Sequence, residues 1–479
     1  MSMLERIARY NQSTRSRVDV SKLYLKPRPI GISDDGQDYL VFSRQRDVIN
    51  QVLSPNVKHF SLDGASSLPF SRRPPPPRAQ SAFSLASNER GELDWDRAAL
   101  LELSDSVRTS LKHYRSVGPD TEKLSGFLEV ALRDEEQQWG RPTLDIETIE
   151  YARLDKLLAE ILQFADKEKT KAAAAAASAA CARRGPSIAG TGAATASSNS
   201  SGGGGGNVFT LQFRVVVSHA KNLWRAWRRR FREHYFMMDQ YRCAALVQQG
   251  GRLKDVSFSA SPAYDLGTWQ TQVGDPISEL EGDLQFDPGH WWLNITCAER
   301  DGMVASSLEM PTKGRYCVTT LPLLTGQEEW IRGNTYKYVR EGRSRDMHIA
   351  LISQVGRQIR VLRGYRLKSI LAPQAGVRYD GLFTVKQYGC KLDNNTNVYR
   401  LELTLERVPN PKVSLEDIES IPRPSQLDDW NLYEKLEGDK IKLIQGETSY
   451  LEWKLRRQEE KIDREDWRRA RLFRASVSR

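Results

Sequence analysis

The chain has 479 residues, 39% hydrophobic and 28% charged, with 71 Lys plus Arg against 61 Asp plus Glu for a formal charge of +10. That is enough apolar material for two or three cores, and the basic excess favours polyanions such as nucleic acid. Five cysteines without a C-x-x-C pair exclude a fully paired disulfide framework and a RING or PHD zinc module, and no apolar run approaches the roughly 18 residues of a membrane span.

The N-terminus has no apolar h-region, so a secretory signal is not expected; a mitochondrial leader ranks below a cytosolic or nuclear protein. Residues 1–93 read as mixed and partly disordered. Pro74 to Pro77, between Arg73 and Arg78, form a polyproline rod that reads first as a spacer and second as an SH3 ligand. Residues 94–167 read as a helical region, with Leu100, Leu101, Leu103, Val107 and Leu111 on one stripe and Leu154, Leu157, Leu158, Ile161 and Leu162 on another. Residues 168–206 are rich in Ala, Gly and Ser and read as a disordered, flexible linker, with transient helix expected in the alanine run. Their five glycines lack the Gly-Lys-Ser/Thr of a phosphate loop.

Residues 207–269 hold a basic aromatic helix and a connection. Trp224, Trp227, Phe231 and Tyr235 fall on one face, with Arg225, Arg228, Arg229, Arg230 and Arg232 around it. Such a helix can lie on nucleic acid or an anionic membrane, but a core stripe with a solvated basic face ranks ahead. From about 270 to 430 the texture is β-rich. Strands are predicted at "WWLNITC", "RYCVTTLPLL", "NTYKYV", "MHIALIS", "QIRVLRGYRL", "GLFTVKQY" and "VYRLELTLERV". Residues 431–479 read as a charged, solvated C-terminal helix whose last turns, "RRARLFR", are basic enough to touch phosphate.

The densest local chemistry is "LAPQAGVRYDGLFTVKQY". Pro373 fixes its own φ, Gly376 can take a positive φ, and Asp380-Gly381 is a turn dipeptide predicted to form a hairpin corner. Together with "QIRVLRGYRLKSI" it resembles the signature of the SRA or YDG domain, in a divergent form closest to fungal members. The family pattern V-R-V-x-R-G, a basic loop, then A-P-x-x-G-x-R-Y-D-G is met at Arg360, Val361, Arg363, Gly364, Ala372, Pro373, Gly376, Arg378, Tyr379, Asp380 and Gly381. The resemblance covers about 270–430 and says nothing about 1–206.

It implies an α+β chain: a C-terminal curved β-barrel or sheet domain with flanking helices, after a helical N-terminal region. It also implies a pocket that takes a flipped, modified cytosine from DNA, with stacking aromatics, an acid on the base edge and cations on phosphates. Tyr338 falls on the second stacking tyrosine and Glu329 on the acidic reader. Gly326 stands where the first stacking tyrosine is expected, and nearby Trp330 is a candidate substitute. Arg345, Arg360, Arg363, Arg366 and Lys368 are the phosphate candidates. The plainer alternatives are a core tyrosine, an exposed loop acid and a solvated basic edge.

The expected protein is therefore a nuclear, non-catalytic reader of methylated or modified cytosine in double-stranded DNA, in a chromatin or epigenetic setting. The N-terminal helices are candidates for contact with chromatin proteins; no catalytic residue, metal, cofactor or membrane partner is expected. The alternative is a degenerate domain that serves as a protein-interaction scaffold.

Overall fold

The computed structural model describes residues 84–85, 94–114, 116–136, 142–182, 211–259, 268–272, 286–314, 318–393 and 398–477. The polyproline run and the glycine stretch lie outside them. Strands β1 (Ser84–Leu85) and β2 (Asp94–Trp95) pair ahead of helix α1 (Arg97–His113). Asp96 caps α1 by accepting from the Ala98 and Ala99 amides. Helices α2 (Thr121–Glu136), α3 (Ile146–Tyr151) and α4 (Leu154–Ala182) follow. Leu100, Leu103, Val107 and Leu111 share one core with Leu157, Leu158 and Ile161. Two helical stripes in the sequence become four helices, with a break at Arg153, where φ is 56°. The alanine run continues α4 to Ala182 where a linker is expected, because Ala is the best helix former. Helix α5 (Leu211–Val247), kinked at Arg232, joins the same core through Phe213, Val216, Ala220, Leu223 and Trp227.

The rest is built on a mixed sheet. Its strands are β5 (Trp291–Trp292), β6 (Thr312–Lys313), β7 (Val318–Leu323), β8 (Gln327–Arg332), β9 (Thr335–Gly342), β10 (Gln358–Gly364), β11 (Val377–Asp393) and β12 (Val398–Arg407). A separate hairpin pairs β3 (Val256–Ser259) with β4 (Thr268–Thr271). The order is β6-β7-β10-β11-β12-β9-β8, with β5 on β11; among the described residues β7 and β10 pair in parallel and the other paired strands of this sheet are antiparallel. Among the described residues this path stays open, so no closed barrel forms. One isolated bridge, Gln327 to Lys368, ties the β8 edge to the loop after β10.

Three sequence expectations change here. "WWLNITC" gives only a two-residue strand, because Asn294 caps a short helix, α6 (Ile295–Arg300), by accepting from the Cys297 amide. "MHIALIS" forms 3-10 turns at Ser344–Met347 and Ile349–Gln354, with His348 between them at φ 48°. Asp380-Gly381 is not a hairpin corner. Val361 pairs with Gly381 and Leu362 with Tyr379, so Asp380 is the extra residue of a bulge inside the continuous strand β11.

The bulge turns Asp380 inward onto a buried ionic network. Arg363 donates to Glu328 through Nε (2.9 Å) and Nη2 (2.6 Å), and to Asp380 through Nη1 (2.7 Å). Arg378 grips Asp380 at 2.6 and 2.9 Å and donates to the carbonyls of Leu371, Ile418 and Ile421. Ser369 adds a hydroxyl to Glu328 at 2.6 Å. All four charged side chains are at most 3% exposed. Two cations balance two anions, which makes the burial tolerable. Burial pushes the Asp380 carboxyl up, but Arg378 and Arg363 outweigh it and hold the pKa below the usual carboxylate range.

After α7 (Leu415–Glu419) come α8 (Pro424–Gln445) and α9 (Glu447–Val477). Helix α8 joins the helical core to the sheet. Asp428 binds Arg108 at 2.7 Å and Asp429 pairs with Arg153, while Trp430 and Tyr433 pack with Trp291 and Val377. Gly438 lets α9 close on α8; a Cβ there would lie 2.9 Å from the Tyr450 ring and 3.0 Å from Trp453.

Arg363→Met should destabilise the fold by about 3–5 kcal/mol, because Glu328 and Asp380 lose a buried partner; a lowered urea midpoint measures it. Asp380 contributes stability above its unfolded pKa of about 3.9, and that contribution is lost as pH falls through its lower folded value. Acid unfolding of the native chain should therefore include a step below about pH 4, weakened in Asp380→Asn.

Candidate nucleic-acid interface

The turn between β7 and β8 positions the first candidate. Gly326 has φ 89°, and a Cβ there would lie 2.7 Å from the Val339 carbonyl and 3.1 Å from the Tyr338 ring. No stacking aromatic fits at this position. Tyr338 points into the sheet core, is 2% exposed, and donates its hydroxyl to the Thr325 carbonyl at 3.0 Å. Burial pushes its phenol pKa well above the ordinary value. With so little of the ring accessible, Tyr338 is a core aromatic in this state.

Trp330 does not replace the missing partner. Its indole donates to the Gly333 carbonyl at 2.8 Å, at the far end of the β8–β9 hairpin. Four residue steps along the strand, about 13 Å, separate it from Gly326. Glu329 is half-exposed and ion-paired with Arg471 of α9.

The phosphate candidates divide. Arg360 and Arg363 are buried at 2% and 0% exposure, so they do not form a phosphate track. Every β10 residue from Ile359 to Gly364 is buried, so Arg360 and Arg363, three apart and on opposite faces of the strand, are both interior, and Arg363 serves the ionic network. Arg345 is exposed, 3.9 Å from Asp346. Arg366 and Lys368 lie on the loop after β10, beside the β7–β8 turn. The Lys368 amide donates to the Gly326 carbonyl (3.0 Å) and the Glu328 amide to the Lys368 carbonyl (2.9 Å). Gly326, Glu329, Arg366 and Lys368 are thus brought to one edge, without an open face of Tyr338.

That edge is covered. Helix α9 sets Glu460 on Arg366 (2.7 Å) and Asp463 on Lys368 (2.8 Å). Arg464 donates to the Tyr365 carbonyl (2.5 Å), Arg468 to the Ala372 carbonyl (3.3 Å), and Arg471 binds Glu329. Steps of three and four residues put these side chains on one helix face. The "RRARLFR" end therefore faces the sheet through Arg468 and Arg471, where the sequence reading sent it to phosphate. A cavity of about 260 Å³ remains between Thr325, Gly326, Gln327, Arg366 and Lys368 on one side and Glu460, Asp463 and Arg464 on the other.

Sequence reasoning missed this cover and also Glu328. The doublet "EE" marks Glu328 only once β8 is known, since alternation sends one acid inward and the next outward. Among the described residues, no three His, Cys, Asp or Glu side chains group as a metal site, and no helix is long and apolar enough to cross a membrane.

No family model and no curated protein matches the chain. Among solved structures, Arabidopsis thaliana SUVH6 in complex with SAM is similar over 30% of this chain and 31% of its own, at 16% identity and a TM-score of 0.25. The SUVH5 SRA domain in complex with hemi-methylated CG DNA matches 28% of this chain and 96% of its own, at 14% identity and a TM-score of 0.23. The modification-dependent TagI restriction endonuclease matches 26% and 51%, at 18% identity and a TM-score of 0.23. The chain spans about a third of the first of these.

Gly326→Ala should cost about 1–3 kcal/mol, because a side chain is forced into a left-handed backbone and against the Val339 carbonyl. A lowered thermal midpoint checks it.

Proposed function

We propose that this is a non-catalytic, nuclear DNA-binding protein whose SRA-like sheet reads a modified cytosine at the edge formed by the β7–β8 turn and the loop after β10. The observation that carries the proposal is the convergence of Gly326, Gln327, Arg366 and Lys368 around one cavity; Glu329, two residues beyond Gln327 on β8, pairs with Arg471 of the covering helix. Arg366 and Lys368 are held by carboxylates of the same chain, in the way a phosphate would hold them. Half-exposed pairs of this kind contribute about 0.2–1 kcal/mol each. DNA phosphates can exchange with Glu460 and Asp463, and α9 then yields the edge. The Gln327 amide offers both a donor and an acceptor, as the edge of an extruded cytosine requires. The exposed faces of the helical region are the surface left for chromatin proteins.

A second reading, an interaction scaffold without base recognition, is favoured by the closed environment of Tyr338 and the blocked position 326. One titration separates the two. The full chain is titrated with matched duplexes that differ only in 5-methylcytosine, at two salt concentrations. The reader should prefer the modified duplex by about tenfold, or 1.4 kcal/mol. Glu329→Gln should reduce that preference, Arg366→Gln/Lys368→Gln should weaken both duplexes, and Glu460→Gln/Asp463→Asn should tighten both. Equal binding of both duplexes by every variant removes the base-reading proposal, and no binding leaves the scaffold.

A further inference from the structure

We propose that the first segment of α5 carries a second nucleic-acid surface, a phosphate-binding stripe remote from the sheet edge. Residues 211–232 contain seven Lys or Arg and no Asp or Glu. The fold has already used several of these. Arg230 pairs with Glu135 and donates to the Leu144 carbonyl. Arg228 lies over the Trp224 ring at 4.3 Å and the Phe236 ring at 4.5 Å.

Arg214, Lys221, Arg225 and Arg229 are different. All four are exposed, and none has an acidic partner among the described residues. Their spacing of seven, four and four residues places them within an arc of about 80° on the helix, at 100° per residue. They run along about 22 Å of axis, at 1.5 Å per residue, which matches roughly six base-pair steps of duplex at 3.4 Å each.

Helix α5 also decides between polyanions. An interfacial membrane helix needs its apolar face free to enter lipid. Here Val216, Ala220, Leu223 and Trp227 are fully buried in the helical core. The exposed stripe offers charge alone, which suits the regular phosphates of duplex DNA. The contact is independent of sequence and of cytosine modification, and it does not rest on the base-reading proposal.

The test uses the full chain and an unmodified duplex of about two helical turns, with log K measured against log salt. Each phosphate contact contributes about 0.9 to the slope, so Lys221→Gln/Arg225→Gln/Arg229→Gln should lower its magnitude by about 2.7. Gln preserves helix propensity, and unchanged circular dichroism verifies the fold. Lys435→Gln/Lys454→Gln/Arg456→Gln removes the same charge from α8 and α9 and should leave the slope nearly unchanged. An unchanged slope in the stripe variant overturns the proposal, as does an equal loss in both variants, which would mean a net-charge effect. Loss of sedimentation with phosphatidylserine vesicles, without loss of DNA binding, overturns it in favour of a membrane surface. Any preference for 5-methylcytosine should survive in the stripe variant, so failure of the stripe and failure of the base reader are distinguishable.

Discussion

The sheet depends on one guanidinium. Arg363, on β10, is fully buried and reaches Glu328 on β8 and Asp380 on β11. A lone buried cation would be prohibitive, so the neighbouring geometry follows from the need to pair it. The bulge at Asp380-Gly381 exists in that setting: one extra residue in β11 turns a carboxylate inward between two arginines. Arg378 completes the neutral set and spends its other donors on carbonyls at 371, 418 and 421. The motif loop and the segment leading to α8 are thereby tied to the same charges.

This network also sets where an interface can form. Glu328 faces inward to Arg363, so strand alternation leaves Glu329 at the surface. The loop after β10, laced to Gly326 by backbone hydrogen bonds, carries Arg366 and Lys368 to the same edge. Helix α9 closes over it with side chains of complementary charge. Those pairs are half-exposed and exchangeable, whereas the pairs beneath them are buried and permanent. The same residue type, arginine, therefore holds the fold at 363 and 378 and faces solvent at 366.

Much of the fold was legible in the sequence. The stripes of α1 and α4 gave a helical core because heptad-like spacing needs no distant information. The alternation of β9 and β12 gave strands, and the motif residues Arg363, Arg378 and Asp380 are members of the buried ionic network. The candidate site was less legible. Tyr338 and Glu329 occupy plausible positions, but neighbours distant in sequence decide which faces they show. Trp330 lies near Gly326 in sequence and far along the strand in space.

By itself, the sequence determined the local periodicities, including the aromatic stripe through Trp227, and the motif at 373–381; the structure then placed that stripe against the helical core. Only the tertiary structure decided that Asp380-Gly381 is a bulge, that Arg360 and Arg363 are interior, and that α9 covers the sheet edge. The physical reason is range. Helix and strand patterns arise from residues a few positions apart, whereas a buried charge is recognised only through its partner. The partners here lie 35 residues apart between Arg363 and Glu328, and 142 between Arg471 and Glu329.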